Sequence, residues 1–237
     1  MGVGGHEGHA RAARQHTRAR AGSGGLGRRM SAEAAPPPSP PPRIHPTALV
    51  EPRVEIGPGT SVWDNVHIRG PAWIGRDCII GEKTYIAYGV RIGTCVKINA
   101  QVYVCTGVTI EDRVMISAGV IFTNDRYPRA FAIDGDGLAS SEPNEDTLQT
   151  VVREGATIGA GAVIGPGLQI GAYAMVGMGA VVTADVPAHA LVYGNPARVR
   201  AYVCICGEPL PRVESSTPAA AVDCGRCGRA RPVVEVE

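Results

Sequence analysis

From Ile44 to Phe122 every sixth residue is large and apolar: Ile44, Val50, Ile56, Val62, Ile68, Ile74, Ile80, Ile86, Ile92, Ile98, Val104, Ile110, Ile116 and Phe122. After a break the count resumes at Val152, Ile158, Ile164, Ile170, Val176 and Val182. A helix repeats at about 3.6 residues and a flat strand at about 2, so a sustained period of six is neither. A second register runs four residues after each anchor and holds small or β-branched side chains. It begins Thr60, Val66, Ala72, Cys78, Thr84 and Val90, and past the break it reads Ala156, Ala162, Leu168, Ala174 and Ala180. Glycine directly follows many anchors (Gly57, Gly75, Gly81, Gly93, Gly159, Gly165, Gly171, Gly177), where its free φ is expected to make a tight corner. Six residues therefore read as one flat face plus one corner, and three faces close a coil of about eighteen residues. The expected fold is all-β, a parallel β-helix of hexapeptide repeats. Twenty anchors give roughly six to seven coils, a prism roughly 30 Å long at about 4.8 Å per rung. The anchors read as core and none is expected to do chemistry.

Residues 1–42 lie outside this count. They carry Arg11, Arg14, Arg18, Arg20, Arg28 and Arg29 and then the proline run Pro36 to Pro42, a composition that predicts disorder. Arg28-Arg29 is followed by Met30-Ser31-Ala32-Glu33 rather than an apolar segment, so an export signal is not expected, and Met30 is an alternative start. No aromatic residue is interleaved among the arginines, which argues against a nucleic-acid arm. The repeat occupies residues 43–200 as one domain, and residues 201–237 form a tail. A net charge of +1 gives no attraction to nucleic acid or a membrane surface, and no apolar run is long enough to span a bilayer. A cytoplasmic enzyme is expected.

The interruption, residues 123–151, has no evident period. It opens with polar side chains directly after the core anchor Phe122, at Thr123-Asn124-Asp125-Arg126-Tyr127-Pro128-Arg129, and continues through an acidic stretch from Asp134 to Asp146. A surface loop would read similarly, but polar groups hung on a rigid rung are well held for binding. The prolines of Asp185–Arg198 end the strand pattern, and a small helix or an extended cap is expected there. Beyond it stand Cys204, Cys206, Cys224 and Cys227, a CxC and a CxxC-Gly pair. Four thiolates in two tight turns suit a structural zinc ion with no open position, in a small zinc-ribbon-like appendage. Two disulfides and four free thiols are the alternatives. Cys78 reads as core, while Cys95 and Cys105 have no partner signal.

These residues together resemble a known family. The six-residue column, the loop Phe122–Arg129, the stretch Arg153-Glu154-Gly155-Ala156-Thr157-Ile158-Gly159 and the ending Gly194-Asn195-Pro196-Ala197-Arg198 resemble the left-handed β-helix acyltransferases. Among them the nucleotide-linked amino-sugar N-acetyltransferases of bacteria are the nearest group. The resemblance covers residues 44–200. It implies left-handed coiling, a homotrimer with sites between subunits, acetyl-CoA along the C-terminal coils and a nucleotide sugar near the loop. Asn124 matches the family asparagine that contacts the reacting amine. Asn99, Gln101 and Arg129 fall where the family binds substrate, with His67 a further candidate. Gly159, Gly177, Ala180 and Arg198 are the candidate contacts to acetyl-CoA. Lys97-Ile98-Asn99-Ala100-Gln101 departs from the family's usual Lys-Ile-Gln-Asn-Asn, which leaves the sugar open.

Acetyl transfer to a sugar hydroxyl needs a general base, normally histidine, whereas an amine needs orientation more than a strong base. No histidine lies in residues 98–151, which argues for an amine acceptor. His67 precedes the anchor Ile68 and should point outward, and His189 falls in the capping segment; both read as structural before catalytic. An O-acetyltransferase using either one and a non-catalytic scaffold remain as alternatives. A carbonic anhydrase on the same coil needs three imidazoles and fails on residue count.

Overall fold

The computed structural model describes residues 39–132, 135–210 and 222–231. The expectation for residues 1–38, including Met30 and the six arginines, lies outside them, as does Asp134. Helices are absent among the described residues, and none there could cross a membrane.

Short strands centred on the anchors stack into three sheets of nine, seven and six strands. Each strand pairs in parallel with the one eighteen residues on, as Ser61 does with Ile79, His67 with Tyr85 and Trp73 with Arg91. Across the interruption the offset becomes 42, as in Ile121↔Val163, and afterwards it returns to 18, as in Val163↔Val181. The loop is therefore a 24-residue insertion into one corner, and the coils on either side keep a common register. A one-residue slip would turn every inward side chain outward, which is why the phase survives the break.

The inward column is the expected one. Anchors from Val62 to Val182 and their partners four residues on, such as Val66, Val96 and Ala156, are buried. Inward Thr60, Thr84 and Thr150 are also buried, and each is satisfied by bonding backbone: Thr60 Oγ1 donates to Gly75 O at 2.8 Å. The first coil departs from expectation. Ile44 is 42% exposed and Val50 and Ile56 are half-buried, because no strand among the described residues pairs on their outer side.

Two further expectations are corrected. The coil count is larger: eight parallel rungs stack on the first face, because rungs continue past Val182. There Ile170 pairs with Val186 and Val176 with Val192, an offset of 16 that the six-residue count cannot follow. The glycines after the anchors are not the left-handed corner residues. That conformation belongs to the third residue after most anchors, as in Arg53, Asn65, Lys83, Gln101 and Tyr173. Gly57, Gly81 and Gly159 stand where the corners of successive coils touch. A Cβ on Gly57 would sit 2.6 Å from Arg76 N, and one on Gly159 2.6 Å from Met178 N.

The described residues after Val182 hold no helix. Strand Ala190–Gly194 joins the first sheet in parallel, then turns back as Ala197–Tyr202, antiparallel to it. The expected boundary at residue 200 thus falls inside a strand, and the tail grows directly out of the last coil.

Candidate functional site

The insertion is less irregular than its sequence suggests. It leaves the rung at Phe122 and folds as a narrow arm on backbone bonds. Leu148 N–H donates to Asn124 O at 2.7 Å, Arg126 N–H to Asp146 O at 3.0 Å, and Ala139 N–H to Ala130 O at 3.0 Å. Bridges Asp125↔Thr147 and Phe131↔Leu138 mark its two levels. The arm encloses a groove of about 720 Å³ against the second face of the prism.

Tyr85 and Tyr103 form the floor of that groove, as the middle members of a column set by the eighteen-residue register. His67, Tyr85, Tyr103 and Ile121 are consecutive outward positions. Tyr85 and Tyr103 stack with centroids 5.2 Å apart and planes 6° from parallel, and His67 meets Tyr85 edge-on at 5.4 Å. His67 Nε2 donates to Glu51 Oε1 at 2.9 Å. That bond, with help from the Gly70 N–H, holds the Glu51 carboxyl below its usual range. Glu51 also takes the Arg69 guanidinium at 3.3 Å, which in turn lies over the Tyr88 ring. Burial, followed by the nearby Cys105, Tyr85 and Asp125, raises the Tyr103 phenol, so it remains a neutral donor. Cys105, on the same wall, is pushed up to about 12 by burial and is therefore a thiol, not a nucleophile.

Of the sequence candidates, Asn124 and Arg129 both line this groove. Asn124 is the half-buried base of the arm, with its carbonyl fixed by Leu148, while Arg129 turns one guanidinium nitrogen to Pro128 O at 2.8 Å. His67 stands one rung beyond Tyr85, with its Nε2 bonded to Glu51 and its ring edge-on to Tyr85. Asn99 and Gln101 occupy a corner after the first face and do not line the groove of their own chain; Gln101 carries the corner's φ of 59°. Among the donor candidates, Gly159 and Gly177 are contact points between coils. Ala180 is fully buried, its side chain in the core and its carbonyl accepting Val163 N–H at 2.8 Å. Arg198 is exposed on strand Ala197–Tyr202, bonded to Ala197 O. Reading residue by residue misses Tyr85, Tyr103 and Arg69. The signal was there: 67, 85 and 103 are separated by one coil each.

A second constellation lies at the end of the chain. The sulfurs of Cys204, Cys206, Cys224 and Cys227 all fall within 4.8 Å of one another, with Cys204–Cys227 at 3.5 Å and Cys206–Cys224 at 3.6 Å. Four thiolates about 2.3 Å from one zinc would lie about 3.8 Å apart, so the donor set fits a tetrahedral ion. None of the four is joined in a disulfide.

Two family profiles match the chain. "Bacterial transferase hexapeptide (six repeats)" matches residues 53–88 and 149–184, and "Hexapeptide repeat of succinyl-transferase" matches 71–106 and 100–124. The chain is 42% identical over 183 residues to dTDP-3-amino-3,6-dideoxy-alpha-D-galactopyranose 3-N-acetyltransferase of Aneurinibacillus thermoaerophilus, covering 77% of this chain and 88% of that protein. A shorter likeness, 44% over 55 residues, links it to an acyl-[acyl-carrier-protein]–UDP-N-acetylglucosamine O-acyltransferase of Brucella ovis, spanning 23% of this chain and 20% of that one. Among solved structures, PerB of Caulobacter crescentus with CoA and GDP-perosamine is 27% identical over 68% of this chain and 58% of its own. Its TM-score is 0.40, too loose a likeness to transfer residue positions.

Proposed function

The chain belongs to the hexapeptide-repeat acyltransferases, and we propose that it moves an acetyl group from acetyl-CoA to the amine of a nucleotide-linked amino sugar. The observation that carries this is the 42% identity to an amino-sugar N-acetyltransferase over 88% of that protein's length. The groove under the arm is consistent with it. Among the described residues none that line it is a histidine, so an acceptor that needs a strong base is poorly served by this chain's own groove. An amine, once deprotonated, needs mainly to be aimed.

In this reading the Asn124 side chain accepts a hydrogen bond from the amine and points its lone pair at the thioester carbonyl. The C–N bond forms, the C–S bond breaks, and the proton shed by nitrogen ends on the CoA sulfur. Arg69 and Arg129 offer charge to the nucleotide's phosphates, and the Tyr85–Tyr103 stack offers a flat floor. Acetyl-CoA lies toward the C-terminal coils, with Arg198 as its candidate contact. Function as a closed homotrimer in the cytoplasm and one structural zinc on the four tail cysteines belong to the same proposal.

The test is acetyl-CoA turnover against nucleotide-linked 3-amino and 4-amino sugars and the matching hydroxy sugars. Release of CoA thiol with an amino sugar, and none with its hydroxy counterpart, is expected. Acetylation of hydroxy sugars alone would overturn the reading, as would a failure of every amino sugar.

A further inference from the structure

The two ends of the prism are finished differently. At the first coil Ile44 is 42% exposed and Val50 and Ile56 are only half-buried. At the last, Val186, Ala190 and Val192 are 4%, 0% and 3% exposed. A stacked-repeat fold needs a cap, because the terminal repeat would otherwise leave its core face in water. Here the covering element is strand Ala197–Tyr202, whose Ala197, Val199 and Tyr202 pack on the core. As the outermost strand of its sheet among the described residues, it has a ladder on one side there.

That strand runs directly into the first cysteine pair. Val203 N–H donates to His189 O at 2.7 Å, and the His189 ring nitrogen Nδ1 meets Val203 O at 3.0 Å. Val203 and Cys204 are each 1% exposed. Cys204 N–H bonds Glu208 O, Gly207 N–H bonds Cys204 O, and Leu210 N–H returns to Tyr202 O, each at 2.8 Å. The first turn is thus built into the last coil, and His189 extends the link by stacking on Tyr173 at 5.4 Å.

The second turn is attached differently. Its strands Val222–Asp223 and Ala230–Arg231 pair with each other and, among the described residues, with no other strand. Among the described residues it meets the first turn at the sulfurs and at a bond from Arg226 to Cys206 O at 3.2 Å. Gly228 N–H closes its loop on Cys224 O at 2.8 Å. Four thiols converging within 4.8 Å gain little from one another as neutral groups, whereas as thiolates they repel unless a cation sits among them.

We infer that the four-cysteine centre is the metal-dependent C-terminal cap of the β-helix: a zinc ion joins the two turns, and the joined unit holds strand Ala197–Tyr202 over the last rung. This rests on the zinc reading of the tail proposed above and adds a role for it. The tail is a fastener of the solenoid and not a separate appendage. Among the described residues the cap strand ends its sheet, and the metal secures its far end.

Metal analysis of the full chain purified under reducing conditions should give about one zinc per chain. Cobalt exchanged into the site should show the visible spectrum of a tetrahedral thiolate complex. Hydrogen exchange is then compared before and after chelation, and in a Cys224→Ser, Cys227→Ser variant that leaves the first turn untouched. Loss of metal should speed exchange at Val203, Gly207 and Leu210 by about tenfold or more, with a smaller increase at Gly177, whose N–H bonds Val192 O. Val163, in mid-prism, should not change. Absence of zinc would overturn the metal centre and the cap together. Zinc present with unchanged exchange at Val203 and Leu210 would leave the metal centre standing and overturn the cap.

Discussion

Gly81 stands where a methyl group would lie 2.6 Å from Asn99 C in the next coil, with backbone on every near side and no flexible group to yield. Gly81→Ala should therefore lower stability by about 1–3 kcal/mol in denaturant unfolding, although alanine suits most strands better than glycine. An unchanged midpoint would mean that the coils can part at that corner. Asn124 is a different kind of residue, half-buried at the root of the arm with its backbone fixed by Leu148. If its amide aims the amine, Asn124→Ala should cut turnover by about two to three decades while the melting curve stays unchanged. Wild-type turnover in that variant would remove the assignment. Cys105 supplies a check of the groove wall. With its thiol raised to about 12, the thiolate is scarce at pH 8, and iodoacetamide should label exposed Cys95 well before Cys105. Equal labelling would mean that the wall opens to solvent.

Among the elements, the arm is separable from the coils by its register. Deleting residues 124–147 removes the 24 residues by which the offset of 42 exceeds 18, and restores Phe122 and Val152 to six-residue spacing. The shortened chain should fold with a wild-type β spectrum and lose acetyl transfer entirely. Retained turnover would place the acceptor site elsewhere on the prism. The arm's own fold was only partly legible. Its polar opening after Phe122 marked it as a place for a site, but its pairing of Asp125 with Thr147 spans residues with no shared period. Such contacts depend on where the chain returns to the prism, which local sequence does not encode.

The whole prism presents an outward stripe of Leu49, Tyr103 and Ile121 on its second face, exposed by 57%, 45% and 44%. Those side chains share a sheet face with the groove floor. A closed trimer that covers the stripe should weigh about three times 24.7 kDa by light scattering, and Ile121→Lys should shift it toward monomer. A wild-type monomer at micromolar concentration would take away the proposed intersubunit site. At this scale the tail also changes meaning. As a sequence it reads as a pendant unit after residue 200, whereas strand Ala197–Tyr202 carries the last coil straight into the first cysteine turn.

The period of six alone determined the all-β class, the inward residues from Val62 to Val182 and the point of interruption, because a repeated hydrophobic spacing has one way to bury every copy. The four cysteines likewise announced a centre through their spacing. Tertiary structure decided the rest. It showed that the glycines after the anchors are needed for contact between coils, since that clash involves residues eighteen apart. It placed Asn124 and Arg129 together in the groove and left Asn99 and Gln101 outside it, because each corner faces its own direction around the prism. It brought Tyr85 and Tyr103 into one stack beneath the arm, a neighbourhood created only when successive coils lie in register.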